Sequence, residues 1–442
     1  MFYQVKAVDQ LFFRSSVPFE GSQLFPCQFP PYPNTYGGAF QMLAQDAEQR
    51  KRLRIGFNGV ALNDREKLDI CFPQPLDTIV FDQKDVRNTS GCKSDTEDTN
   101  GNKATTFILE TMKLTPRPES NMHEALPVCL FPETEFKKTK SSADWYMNQT
   151  SLEKYLNGNR HLEFKQEKES KHAVDTDGSK LFDLKDYLSK ERKIGIGTDI
   201  ETGQTKKGQL YQIEMVRPKE GLQLIVEASS KYKGEEKLAI DQAHVKLGGE
   251  GKMVQVEKLD QPEFLESLAP NDESKFFKLY FATPAIFEHG WYPSWIDNQK
   301  TLTGKFSYRK KKQDRVVEKK LELKLIAAAV GKPELIGGFD PHGKEPKALR
   351  YAIPAGSVYY FEILNYREGD FEKAKKLFHR RCLSDYREGS YKGTDSKKKQ
   401  EAYQFNRPKQ VFDRLIYCDR GLGYALVGAV DKKIIEELEK NV

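Results

Sequence analysis

The sequence predicts an α+β protein of two tandem βαββαβ units, the first interrupted by a large polar insertion. Three observations carry this. The chain has 442 residues, too long for one domain of about 100–200 residues. Each half runs through a first strand, a long connection, a strand pair, a polar or helical stretch, and a Gly-rich loop that feeds a last strand. That is the ferredoxin-like (RRM-like) order. Between residues 83 and about 205 the chain turns polar, rich in Lys, Glu, Ser, Thr, Asn and Asp. The expected domains are 1–265, holding that insertion, and 266–442, holding a basic hairpin at about 300–322. At 38% hydrophobic residues a sizeable core is possible, and at 31% charged residues much of the chain lies outside it.

In order, 3–13 reads as a first strand and 18–33 as a loop rich in Pro and Phe. Thr35 is a suitable N-cap. A helix is expected over 36–54, with Phe40, Leu43, Ala44 and Ala47 on one face and Glu48, Arg50, Lys51 and Arg52 on the other. Strands follow at 59–62 and 76–81. The polar run 83–193 holds short strand-like pieces at 105–114 and 125–131, and reads as an insertion with a hairpin outside the compact core. Residues 208–229 read as a hairpin turning at 217–221, 237–247 as helix or extended chain, and 253–256 as a strand.

In the second half, 276–287 is an apolar strand, 305–320 a basic hairpin, and 321–330 and 358–364 are strands. Residues 371–382 form a basic amphipathic helix, and 424–430 an apolar strand after the loop Arg420-Gly421-Leu422-Gly423.

Catalytic patterns are mostly missing. Neither 248–252 nor 421–428 supplies the Gly-rich nest followed by Lys-Ser/Thr of a P-loop. The six cysteines, Cys27, Cys71, Cys92, Cys129, Cys382 and Cys418, form no C-x-x-C pair. No histidine pair has metal-ligand spacing, and no nucleophile elbow occurs. No cofactor or metal is expected. The N-terminus carries no secretory pattern, and no apolar run approaches the ~20 residues that span a bilayer. A cytoplasmic protein with free thiols and no membrane contact is expected.

The net charge of +6 favours a polyanionic partner without establishing one. Basic residues interleave with rings at 305–312, and Lys375, Lys376, His379, Arg380, Arg381 and Arg387 cluster on and after a helix. Such patches track a phosphate backbone while rings stack on bases, or they are simply solvated faces. One Gly-rich turn alone is best read as a tight turn that needs positive φ. Two in equivalent places suit a backbone that approaches a phosphate.

Several strings then coincide in order. They are Phe12-Phe13-Arg14 with Pro18-Phe19-Glu20-Gly21, Leu247-Gly248-Gly249-Glu250-Gly251-Lys252, and Ala282-Thr283-Pro284 with Gly290-Trp291-Tyr292-Pro293. Next come Gly331-Lys332-Pro333 with Ile336-Gly337-Gly338-Phe339-Asp340, and Ala348-Leu349-Arg350 with Ile353-Pro354-Ala355-Gly356. Gly421-Leu422-Gly423 is last. Together they resemble the third subunit of the Cmr complex, the type III-B CRISPR–Cas machine, within the RAMP superfamily.

The resemblance implies two ferredoxin-like domains and a non-catalytic subunit in antiviral RNA-guided silencing. It implies a subunit that helps hold the 5′ repeat-derived tag of the guide RNA (crRNA) and docks the large polymerase/cyclase-type subunit and the backbone RAMP subunits. Its Gly-rich loops carry over onto Gly248, Gly249, Glu250 and Gly251, and onto Gly421 and Gly423. Its protruding thumb falls within 83–206. On this reading Arg14, Lys252, Lys347 and Arg350 contact phosphate, Trp291 and Tyr292 stack on bases, and Gly337 and Gly338 approach the RNA backbone. Two other readings stand beside it: a guide-processing RAMP endoribonuclease with His289 or His379 as general base, and a protein–protein bridge without RNA contact.

Overall fold

The structure, a computed structural model, describes residues 1–14, 24–64, 67–85, 105–116, 126–134, 144–167, 170–232, 235–236, 238–259, 268, 270, 272–312, 315–340, 345–385 and 417–441. It is a mixed α+β fold, rich in strands, with few helices among the described residues. Two main sheets carry it.

In the first sheet, strands Met253–Leu259, Phe2–Ala7, Leu222–Tyr232 and Leu53–Asp64 lie side by side in that order, every neighbour antiparallel. In the second, Tyr424–Gly428, Phe276–Phe281, Val358–Ile363 and Arg315–Ala329 do the same. Counted along the chain, both orders are fourth, first, third, second.

Both sheets are buried on two faces, because side chains alternate across a strand. In the first, Tyr3 and Val5 point to one core and Phe2 to the other; Leu224 and Val226 oppose Ile225. A bulge opposite Val226 and Ala228 lets Ile55 and Val60 share a face despite their odd spacing. In the second, Phe277, Leu279 and Phe281 face away from Phe276 and Tyr280. The inner faces of both sheets meet in one shared core with Phe57, Phe72, Tyr280, Tyr360 and Tyr424. The outer faces are capped by one helix each. Helix Pro33–Leu43 buries Tyr36, Ala39 and Phe40, and helix Asp370–Phe378 buries Phe371, Ala374, Leu377 and Phe378.

The expected helix over 36–54 is corrected. The chain forms helix Pro33–Leu43, breaks at extended Ala44, restarts as Ala47–Arg52 under an Asp46 side-chain cap, and enters a strand at Leu53. Thr35 is not the cap. Pro33 opens the helix at a position where its missing N–H costs nothing. The first strand is also shorter than 3–13, ending at Ala7.

Two larger corrections concern the insertion. It is not outside the compact core. Its strands Trp145–Asn148, Lys180–Asp183, His172–Val174, His161–Gln166 and Thr105–Thr111, flanked by Lys67–Pro73 and Thr78–Asp82 from just before it, extend the first sheet without a break, to 13 strands in all. Phe107, Leu109, Leu162, Phe164 and Leu181 join the shared core, while His161, Glu163 and Lys165 face out. Residues 88–103 lie outside the described residues.

Nor do 208–229 pair as a hairpin. Strand Thr205–Pro218 pairs with Leu188–Thr198, and Leu222–Tyr232 belongs to the first sheet. The long hairpin 188–218 therefore runs past the expected end of the thumb. Its base is pinned by Ile213 and Met215 against Phe12 and Phe25. Farther out, Ile194, Ile196 and Ile200 are exposed, Ile200 at 98%.

The basic hairpin is found, as Thr303–Lys312 against Arg315–Ala329. Its strand continues through the expected 321–330 strand.

Candidate nucleic-acid interface

The first strand leaves its sheet at Ala7 and runs beside the base of the long hairpin, where Leu11 pairs with Val216 and Arg14 with Cys27. The loop at 248–251 folds back onto this run. Gly249 N–H donates to the Phe12 carbonyl at 2.8 Å. Gly248 has φ 83, and a Cβ there would collide with that carbonyl and the Phe13 ring. Only glycine allows this approach.

The result is a cleft of about 190 Å³ lined by Phe13, Arg14, Gln28, Tyr32, Thr35, Gly248 and Gly249. It opens at the N-terminus of helix Pro33–Leu43, whose first amides form a partial positive pole.

The second half reaches the same helix end. Asn34 Nδ2 donates to the Gly337 carbonyl at 2.9 Å. Lys347 N–H donates to the Gly338 carbonyl at 3.0 Å, and Arg350 pairs with Ile336 on a short strand. Tyr32 hydrogen-bonds the carboxyl of Glu334 in that same strand pair. Thus Arg14, Gly248 and Gly249 from the first half and Gly337, Gly338, Lys347 and Arg350 from the second are gathered about one helix terminus.

Ion pairs surround the loop. Lys252 lies 3.3 Å from Asp9, which also holds Arg217 at 2.9 Å. Arg217 reaches Glu191 at 2.9 Å, and Glu250 holds Lys193 at 3.2 Å. Lys252 is mostly covered.

The C-terminal glycine loop differs. Gly421, Leu422 and Gly423 are buried, so an RNA contact there is corrected to a packing role. Arg420 pairs with Ile55 and lies against Gly37 of the helix. Thr283 Oγ1 donates to the Gly421 carbonyl at 2.7 Å and accepts from Tyr424 N–H at 2.8 Å. Gly423 N–H donates to the Pro284 carbonyl at 2.7 Å. The Ala282-Thr283-Pro284 string clamps this loop onto the first sheet.

Trp291 and Tyr292 do not line the cleft. Tyr292 is only 5% exposed and stacks on His289 at 4.9 Å, so its ring is spent in the second core. Trp291 is half-buried, and its carbonyl accepts from the Tyr359 hydroxyl. The carboxylate of Asp385 fixes their loop by accepting from Glu288 and Ser294 N–H at 3.0 and 2.8 Å.

Sequence reasoning missed Tyr32, Asn34 and Glu334. The Pro31-Tyr32-Pro33-Asn34 run marked a helix start for the first two. An acid inside an apolar strand, Glu334-Leu335-Ile336, marked the third.

Burial pushes the Glu334 carboxyl up to about 7, and the Tyr32 hydrogen bond opposes this. The folded state then binds a proton that the unfolded chain has released, so this group's contribution is greatest below the unfolded carboxyl value and falls as pH rises from about 4.5 to 7. Glu334→Gln is expected to flatten the pH dependence of urea unfolding across that window and to stabilise the protein at pH 8. An unchanged slope would remove Glu334 as its source.

Among the described residues no helix is long and apolar enough to cross a membrane, and no group of three or more His, Cys, Asp or Glu is arranged to hold a metal.

No curated protein matches the chain. Among solved structures it is similar to a chain of the type III-B Cmr-beta complex bound to cognate target RNA, at 15% identity over 92% of this chain and 95% of that one, TM-score 0.38. In the same complex bound to target RNA and AMPPnP the values are 14%, 81%, 86% and 0.36. For a chain of the type III-A Csm3–Csm4 subcomplex they are 12%, 84%, 95% and 0.33. A family model, CRISPR-associated protein (Cas_Cmr3), matches residues 3–390. With a match over most of its length, the chain belongs to the Cas_Cmr3 family of CRISPR-associated proteins, the Cmr third-subunit family that its motifs resemble.

Proposed function

We propose that this chain is the non-catalytic subunit that holds the 5′ repeat-derived tag of the guide RNA in a type III-B effector. It would dock the large polymerase/cyclase-type subunit and the backbone RAMP subunits, in the cytoplasm. We read both halves, 1–265 and 266–442, as ferredoxin-like units, each short of one helix. The first lacks the second helix, with strand Gln242–Lys246 in its place; the second lacks the first helix, with the 282–302 loop in its place.

One observation carries the reading. Gly248 and Gly249 backbone, a helix N-terminus and the Arg14 side chain converge on one cleft with Tyr32 and Phe13 on its wall, and Gly337, Gly338 and Lys347 of the second half are tied to the same helix end. Helix N-termini and close-approach glycines suit phosphates. Aromatic walls suit unpaired bases, which is how single-stranded RNA is held. The hairpin 188–218, with its exposed isoleucines, is our candidate for the thumb. Base pairing by the guide would carry target specificity while this subunit fixes position.

UV crosslinking with mass spectrometry tests this on the complex purified through a tag on this chain. The tag RNA is expected to crosslink to peptides within 12–14, 28–35 and 247–252. A complex that purifies without RNA, or whose crosslinks all lie elsewhere, sinks the assignment.

A further inference from the structure

We infer that Asp9 and Glu250 are phosphate placeholders: in the RNA-free protein their carboxylates occupy the cations Lys252, Arg217 and Lys193 that the RNA backbone takes over on binding. This rests on the RNA-binding reading above.

The geometry is a chain of ion pairs across three segments. Asp9 lies at the exit of the first strand, Glu250 and Lys252 lie in the glycine loop, and Glu191, Lys193 and Arg217 lie at the base of the long hairpin. Asp9 bridges Lys252 and Arg217, at 3.3 and 2.9 Å. Every acid in it is solvent-accessible, with Asp9 51% exposed.

Exposed pairs of this kind contribute little to folding. The cations can therefore change partner at small cost to the fold. A backbone phosphate presents two charged non-bridging oxygens, so it can accept the same charge-assisted hydrogen bonds from these cations that a carboxylate accepts.

The backbone adds a second argument. Glu250 has φ 57, a left-handed conformation that favours glycine, between Gly249 and Gly251. A carboxylate is kept there against the preference of the loop, and its visible partner is Lys193. Asp9 stays ionised, held below its ordinary value first by the Gln10 backbone amide and then by Lys252.

The placeholders also set the salt response. Binding that releases bound cations is salt-dependent in proportion to the phosphates neutralised. Where the phosphate displaces an internal carboxylate instead, the carboxylate regains counterions and the net release falls. The wild-type protein should then show a shallower salt dependence than a variant without the acids.

The test is fluorescence anisotropy with a short fluorescein-labelled single-stranded oligoribonucleotide, across a KCl series, on the full chain. Asp9→Asn and Glu250→Gln are each expected to bind about two- to fivefold tighter, the effect of one surface pair. Their salt dependence should be steeper. Asp9→Asn in a Lys252→Gln background should show a smaller gain. Glu250→Gly, which also relieves the backbone, should tighten binding and raise the melting temperature.

If the wild type binds and neither acid variant binds tighter, the placeholder inference is overturned and the RNA reading stands. If no variant, wild type included, binds at low salt, the RNA reading falls and this inference falls with it.

Discussion

Asp77→Ala is expected to lower the unfolding free energy by about 3–5 kcal/mol, measured by urea denaturation, because it leaves two buried hydroxyls without their acceptor and takes a favourable charge away from a buried ammonium. Asp77 is fully buried at the meeting of the two sheets and the insertion. Its carboxylate accepts from Tyr155 Oη at 2.8 Å and from Tyr360 Oη at 2.6 Å. Lys278, 3% exposed, faces it from the central strand of the second sheet, with Nζ 3.4 Å from the Tyr155 ring centroid.

Burial pulls the Lys278 ammonium down to about 8, and Asp77 opposes that shift. Burial pushes Asp77 up, against Lys278 and the two hydroxyls. Each charge eases the burial of the other, with Asp431 also favouring the ammonium. Removing one should therefore cost more than removing both, and Lys278→Met on the Asp77→Ala background should recover much of the loss. A cost below about 1 kcal/mol for Asp77→Ala would mean that the cluster is not a charged pair.

The second large effect is expected at Gly421→Ala. This residue has φ 81, and a Cβ would lie 2.7 Å from the Gly56 carbonyl and 2.9 Å from Asn58 Nδ2. A left-handed non-glycine residue costs about 1–2 kcal/mol, and forcing a methyl into a packed site about 1–3 more. A destabilisation of about 2–5 kcal/mol in urea unfolding follows from these two terms. Glycine at 421 is needed to close the second sheet against the first, so the variant should also expose the seam, seen as faster proteolysis around 417–423. A melting curve matching wild type would show that the loop can move away.

The secondary sheet elements with strong local signals were legible. The strands expected at 276–287 and 358–364 form as Phe276–Phe281 and Val358–Ile363, the basic hairpin is present, and the helix expected at 371–382 forms as Asp370–Phe378 and gives way to a short strand at Arg381–Cys382. Both glycine loops were placed correctly before the last strand of each half, but their chemistry was not separable from sequence. Gly248 and Gly421 carry the same positive φ; one lies at the surface and the other is sealed, and that difference is set by Ile55, Gly56 and Thr283, distant in sequence.

The insertion was misread for a related reason. His161–Gln166 alternates cleanly, with Leu162 and Phe164 buried. Yet short alternating strands amid charges announce no partner, and their pairing with Thr105–Thr111 lies far along the chain. Stacking by Trp291 and Tyr292 was expected on the family resemblance, while the aromatic density around them equally suits a core corner. The carboxylate of Asp385, more than ninety residues on, turns their loop into core.

The insertion lies between the second and third strands of the first sheet, and this orders events during synthesis. The Met1 amino group bonds the carbonyl of Ala228, 227 residues away, and Phe2–Ala7 has its neighbours in Leu222–Tyr232 and Met253–Leu259. Among the described residues, both sheet neighbours of the first strand lie beyond residue 221. A ribosome that stalls within the insertion holds a nascent chain whose Phe2–Ala7 and Leu53–Asp64 edges are open templates for other chains. High contact order here is a burden on translation, met before any partner subunit can help.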